Sequence, residues 1–144
     1  MKKTTSMQRL LALVLLSLLA FSLFACHAPT DTELLWENAL YQEDATLGEG
    51  EKTVTLTVTA GEKSVTFTIS TDCEILGDAL LALDLISGDE SAYGLYVKYV
   101  NGIFSDYDVD QIYWALYIGE NYASSGVDTT PVEDGVAYAF VRSK

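Results

Sequence analysis

"TVTLTVTAGEKSVTFTIS", Thr53 to Ser70, decides the fold. Val54, Leu56 and Val58 alternate with Thr53, Thr55, Thr57 and Thr59, and successive side chains of a strand point to opposite faces, so the run reads as a half-buried strand. Val65, Phe67 and Ile69 alternate in the same way with Thr66 and Thr68. Between the two runs, "AGEK" supplies the glycine that a tight connection needs, and the pair predicts a β-hairpin.

Downstream, the period changes. In "TDCEILGDALLALDLISG", Thr71 to Gly88, the apolar residues Leu76, Ala79, Leu80, Leu83 and Leu85 or Ile86 recur at spacings of three and four, which predicts an amphipathic helix. Thr71 or Asp72 is placed to cap its start and Gly88 to end it, with Asp72 and Glu74 suiting the positive end of the helix dipole. Alternation returns in "GLYVKYVNG", a third strand closed by Asn101-Gly102, a frequent turn pair. "IYWALYIGENYA" predicts a fourth strand, a type II′ turn led by Gly119 and a short return strand, and "GVAYAFVRS" a last strand. The fold class is α+β, one helix packed on a small mixed or antiparallel sheet.

Upstream, Lys2, Lys3 and Arg9 precede the unbroken apolar run "LLALVLLSLLAFSLFA", Leu10 to Ala25. Its sixteen residues fall short of the roughly 20 that a bilayer-spanning helix needs, and the charged start followed by an apolar stretch is the pattern of a secretion signal. "LFAC" then places a small residue directly before Cys26 and resembles the lipobox of bacterial lipoproteins, although Phe24 is bulkier than usual there. The expected organisation is a lipoprotein signal peptide over 1–25, lipid attachment at Cys26, a flexible acidic tether over 26–51 and one domain over 52–144. Within the tether, "LLWENALY" is the one obvious ordering element: Leu34, Leu35 and Trp36 could form a brief helix or dock on the domain, but the acidic flanks through "TLGEGEK" favour a solvated linker. The expected location is the outer face of the cell membrane.

From Cys26 onward, five basic residues face all 21 acidic ones, a net charge of −16, which excludes nucleic acid as a partner. Cys73 is then the remaining thiol and reads as a small packed side chain. The single histidine, His27, sits beside the anchor, so no Ser-His-Asp set assembles and no catalytic residue is assigned.

The candidate ligand-binding residues are Tyr96, Tyr113, Tyr117 and Tyr122, with Ser124, Ser125 and Asp128 as polar groups beside them. Along the fourth strand Ile112, Trp114, Leu116 and Ile118 share one face while Tyr113, Ala115 and Tyr117 share the other, so Trp114 is expected in the core and the tyrosines outside it. The set suits stacking on a flat ligand. "DYDVD" gives Asp106, Asp108 and Asp110 the spacing of a calcium loop, but Gln111 stands where that loop needs glycine and Tyr117 where it needs glutamate, so a solvated acidic loop is expected and no metal site is assigned.

"LGDALLALDLISG", "YGLYVKYVNGI" and "YWALYIGENYASSGVDTTPVEDGVAYAF" together resemble the C-terminal domain of transcobalamin and intrinsic factor as it recurs in bacterial lipoproteins. The resemblance covers roughly residues 52 to 142. It implies a transcobalamin C-terminal-like, β-grasp-like fold, and a protein that binds a corrinoid such as cobalamin, or another flat small molecule, with no further cofactor. In the animal carriers the related domain closes over one face of a corrin ring that a helical domain holds on the other. This chain carries no counterpart of that helical domain, so the resemblance implies a partner: an envelope protein or a transporter. The family commonly has Asn-Gly-Glu at the hairpin where this chain has Gly119-Glu120-Asn121. A surface protein-protein interaction module without a small-molecule ligand is the alternative that the same residues allow.

Overall fold

The computed structural model describes residues 28–144. The expected signal peptide over 1–25, the expected lipid site Cys26, and His27 lie outside the described residues. Among the described residues no helix is long and apolar enough to cross a membrane.

Among the described residues three short helices and nine strands follow in order: α1 (Asp31–Trp36), β1 (Ala45–Gly48), β2 (Lys52–Ala60), β3 (Lys63–Thr71), α2 (Leu76–Ala82), β4 (Ile86–Ser91), β5 (Gly94–Val100), β6 (Ile103–Phe104), α3 (Tyr107–Asp110), β7 (Tyr113–Ile118), β8 (Asn121–Tyr122) and β9 (Ala137–Ser143). A 3-10 turn, Val127–Thr129, precedes β9. The strands form a mixed six-stranded sheet in the order β1-β3-β2-β9-β7-β8 and a separate three-stranded antiparallel sheet, β4-β5-β6. The described residues are therefore β-rich, with two sheets where one small sheet was expected and three short helices where one was expected.

The Thr53–Ser70 hairpin forms as its alternation requires, with β2 and β3 antiparallel and Leu56 opposite Phe67. Register carries that alternation across the sheet. Val65, Val58, Phe140 and Leu116 stand side by side on four strands, and Phe67, Leu56, Tyr138 and Ile118 form the next row. Leu76, Ala79 and Leu80 of α2 and Val97, Val100 and Ile103 of the small sheet complete one core with these rows. Each fully buried Leu, Val or Phe there contributes about 1.5–3 kcal/mol relative to exposure. On the opposite face one row runs Thr66, Thr57, Ala139, Tyr117, Tyr122, with the Thr57 and Thr66 hydroxyls 3.1 Å apart.

The helix is shorter than its apolar period. It stops at Ala82 because Asp84 takes a left-handed conformation, φ 56°, and the Asp84 and Leu85 amides turn back to the carbonyls of Leu81 and Leu80. Leu85 and Ile86 are buried as the period demands, but from the start of a strand, and Gly88 lies inside β4. Neither Thr71 nor Asp72 caps the helix. Thr71 ends β3, Asp72 accepts the Glu51 amide at 2.8 Å, and Ile75 occupies the cap position without a side-chain bond.

The acidic tether needs the larger correction, because much of 28–51 is built into the domain. Thr30 and Glu33 close a reciprocal capping box at the start of α1, and its last residue, Trp36, is 2% exposed with its indole Nε1 donating to the Ala60 carbonyl at 2.9 Å. Tyr41 meets Phe67 edge-on at 5.4 Å, and β1 adds a parallel strand beside β3. Acidic residues dominate the composition there, yet the apolar ones are spaced so that Trp36, Tyr41 and Leu47 all reach the core. Burying them outweighs the solvation of the flanking carboxylates, which remain at the surface.

Candidate functional site

The expected turn at Gly119 forms, and its glycine has φ 59°, as the first central residue of a type II′ turn requires. Strand β8 is only two residues long. Beyond it the chain leaves the sheet after one further bond, from the Ala123 amide to the Leu116 carbonyl. A cleft of about 370 Å³ opens there, between β5, β7 and the turn that leads to Val127. Trp114, Leu116 and Phe140 form its apolar base, and Tyr96, Tyr113, Tyr122, Ser124 and Ser125 line it.

Trp114 has the expected place, 7% exposed and edge-on to Phe140 at 6.5 Å. It belongs to both core and cleft. Its indole Nε1 is buried and has no hydrogen-bond partner. Such a donor ordinarily costs about 1–3 kcal/mol.

Tyr117 and Asp128 do not line the cleft. Tyr117 lies on the outer sheet face opposite Tyr122, with the rings edge-on at 5.5 Å. Asp128 serves the fold instead, since its Oδ2 accepts the Leu95 amide at 3.2 Å and its carboxylate fills the space where a Cβ on Gly94 would stand. That close approach is what the glycine permits. Burial, and then hydrogen bonding with Tyr113, hold the Tyr122 phenol above its ordinary value. At neutral pH it is therefore a hydrogen-bonding hydroxyl.

A second recess, a shelf of about 680 Å³, adjoins the cleft, and Tyr96 and Tyr113 line both. Tyr93, Tyr107, Asp89 and Asp108 complete it. Tyr107 stands edge-on to Tyr113 at 6.4 Å, and its amide donates to the Tyr96 hydroxyl at 3.0 Å. Tyr93 and Tyr107 were missed in the sequence because each sits among acids that dominate the local reading. The density of tyrosine from 93 to 122 was the available signal.

The "DYDVD" carboxylates diverge rather than converge. Asp106 caps the single turn α3 through the Asp108 amide and pairs with Lys98 at 2.9 Å, while Asp110 accepts the Ile112 amide at 3.0 Å and pairs with Arg142 at 3.2 Å. Lys98 also reaches Asp89 at 2.6 Å. Asp89, and then Asp106, hold the Lys98 ammonium well above the usual lysine value, and Lys98 in turn holds Asp106 below the usual carboxylate value. Among the described residues no group of three or more His, Cys, Asp or Glu side chains is arranged to hold a metal ion.

No protein-family model matches the chain, and no curated protein matches it. Among solved structures, a Ruminococcus gnavus protein to which metal binding is provisionally ascribed is 32% identical, with a TM-score of 0.62 over 65% of this chain and 98% of that one. Haptocorrin, solved in complex with Cbi, is 21% identical with a TM-score of 0.52, over 65% of this chain and 25% of its own. The haptocorrin match supports the transcobalamin-like reading at the level of the fold. The Ruminococcus gnavus match goes further: at that identity over nearly the whole of that protein, the chain belongs to the same family.

Proposed function

We propose that this protein is a lipid-anchored extracellular binding protein whose cleft between β5 and β7 receives a corrinoid or another flat small molecule, closed from the far side by a partner. The observation that carries this reading is the cleft itself, in which three tyrosines and two serines surround an apolar base, on a fold shared with a protein solved in complex with Cbi. Its volume lies at the low end of the ~300–1,000 Å³ usual for small-molecule sites, so it would grip one edge of a broad ring.

Magnitudes require the partner. Half-covering two or three aromatic rings is worth roughly 4–9 kcal/mol at ~25 cal/mol/Å², against an association cost on the order of 4–15 kcal/mol. One domain alone would bind weakly. A second protein or a second copy supplies the missing face. The role is binding without catalysis, since the cleft offers hydroxyls and rings and no base tuned to neutral pH. Metal binding, ascribed provisionally to the Ruminococcus gnavus relative, finds less support in this chain, because Asp106 and Asp110 are committed to Lys98 and Arg142.

The test is a titration of the chain from His27 onward with cobalamin and with Cbi, read in the corrin absorption bands. A saturable shift supports the corrinoid reading, and unchanged spectra at millimolar ligand remove it. One observation favours a protein ligand instead: β8 and the Ala123 amide cover only the last three residues of β7, which leaves the edge from Tyr113 to Ala115 without a strand neighbour on that side. Recovery of one envelope protein on the immobilised chain, lost when proline replaces Trp114, would favour that alternative.

A further inference from the structure

The shelf beside the cleft has a chemistry of its own. Four tyrosines, Tyr93, Tyr96, Tyr107 and Tyr113, surround it together with the carboxylates of Asp89 and Asp108. Single exposed aromatics are ordinary on protein surfaces, but four around one recess are not. Tyr93 is 99% exposed and Tyr107 53% exposed, so two of these rings present their surfaces to water. Their neighbours are held in place: the Tyr107 amide bonds to the Tyr96 hydroxyl, and the Tyr107 and Tyr113 rings meet at 69°.

The fold already sets an ammonium against one of these rings. Lys98 Nζ lies 5.8 Å from the centroid of Tyr96, within the roughly 6 Å over which a cation is drawn to an aromatic face. That lysine is committed to Asp89 and Asp106 on either side. Asp108, by contrast, pairs with no cation among the described residues. The shelf therefore combines aromatic faces with one unmatched negative charge, in a chain whose net charge is −13.

We propose that the shelf binds a small soluble organic cation of the quaternary ammonium class. The aromatic faces favour a bulky, weakly hydrated cation, whose methyl groups pack on the rings while Asp108 offsets the charge. A hard metal ion fits poorly, since calcium takes six to eight oxygen ligands and Asp89 and Asp106 are already shared with Lys98. A neutral flat molecule would leave Asp108 unmatched. The open side of the shelf leaves room for the rest of the ligand in solvent.

The experiment is an NMR titration of the tyrosine ring signals of the chain from His27 onward, with choline as the probe and its uncharged carbon isostere, tert-butyl in place of trimethylammonium, as the control. Expected are saturable shifts with choline in the millimolar range, and at least about fivefold weaker binding of the isostere, as a cation–π contribution implies. Asp108→Asn should weaken choline several-fold. Tyr93→Ala, at a fully exposed position that packing does not depend on, should do the same.

Absence of saturation at tens of millimolar, equal binding of choline and the isostere, or unchanged affinity in both variants would each overturn the proposal. Preference for a trimethyllysine peptide over free choline would overturn it in favour of a protein ligand. Neither Tyr93 nor Asp108 lines the cleft, so both variants should leave a corrinoid titration unaltered. Failure at the shelf and failure at the cleft are thus distinguishable.

Discussion

Asn101 holds the peptide groups of Tyr41 from both sides: its Oδ1 accepts the Tyr41 amide at 2.9 Å and its Nδ2 donates to the Tyr41 carbonyl at 2.8 Å, across sixty positions of sequence. The side chain is fully buried, and its backbone, at φ 51°, occupies the left-handed region that asparagine tolerates better than most residues. One residue thus makes the strand turn and ties the N-terminal segment to the small sheet. Asn101→Ala should lower stability by about 2–4 kcal/mol, because it leaves two backbone groups unpaired and strains the turn. Asn101→Asp, which keeps the acceptor, should keep the bond to the Tyr41 amide and lose the other. Urea midpoints of the two variants check the order, and equal midpoints for Asn101→Ala and the native chain would refute it.

The two tryptophans should respond differently to the same change. Trp36→Phe removes a buried bond to the Ala60 carbonyl, whereas Trp114→Phe removes an indole N–H that has no partner. Both variants lose similar apolar area. Trp36→Phe should therefore cost about 1–2 kcal/mol more than Trp114→Phe, as the net value of a buried hydrogen bond implies. Chemical denaturation of both, side by side, is the check.

The Lys98–Asp106 pair sets a pH dependence. Asp106 has its folded value below the ordinary 3.8, so its contribution to stability is complete above that value and is lost as the pH falls through the lower folded one. Lys98 has its folded value above the ordinary 10.5, so its contribution is complete below that value and is lost as the pH rises through the higher folded one. Asp106→Asn should reduce the acid slope of stability and shrink the alkaline one. Lys98→Met should lower stability near neutral pH, since it leaves the carboxylate of Asp106, only 7% exposed, without its cation. Thermal melts across the pH range resolve the two limbs.

A chain starting at Lys52 would lose Trp36, Tyr41 and β1 together. Removal of one large buried aromatic alone costs about 3–5 kcal/mol, a large part of the 5–15 kcal/mol that holds a typical domain. That fragment should unfold at markedly lower temperature, or without a cooperative transition, compared with a chain starting at residue 28. Scanning calorimetry on the two fragments decides it.

The hairpin was legible because every second residue from Val54 to Val58 and from Val65 to Ile69 is buried, and a one-residue slip would expose them all. The end of α2 was not, since Leu85 and Ile86 satisfy a helical period while serving a strand, and only the left-handed Asp84 separates the two. Docking of Trp36 was open in the sequence but outweighed by its acidic flanks. Its partner, the Ala60 carbonyl, is a backbone group with no signature in composition. Tyr96, Tyr113 and Tyr122 could be grouped from alternation and turn position, but the separation of Tyr117 and Asp128 from the cleft depends on which strand sits beside which.

The docking of α1 and β1 bears on how the protein would meet a membrane. The first described helix, α1, starts at the Thr30 cap. A lipid on Cys26 would leave about 14 Å of chain at most, at ~3.5 Å per extended residue, between the bilayer and the first helix. A domain on so short a leash would rest against the bilayer surface in a narrow range of tilts. Access to its cleft and shelf would then depend on which side of the domain faces away from the lipid.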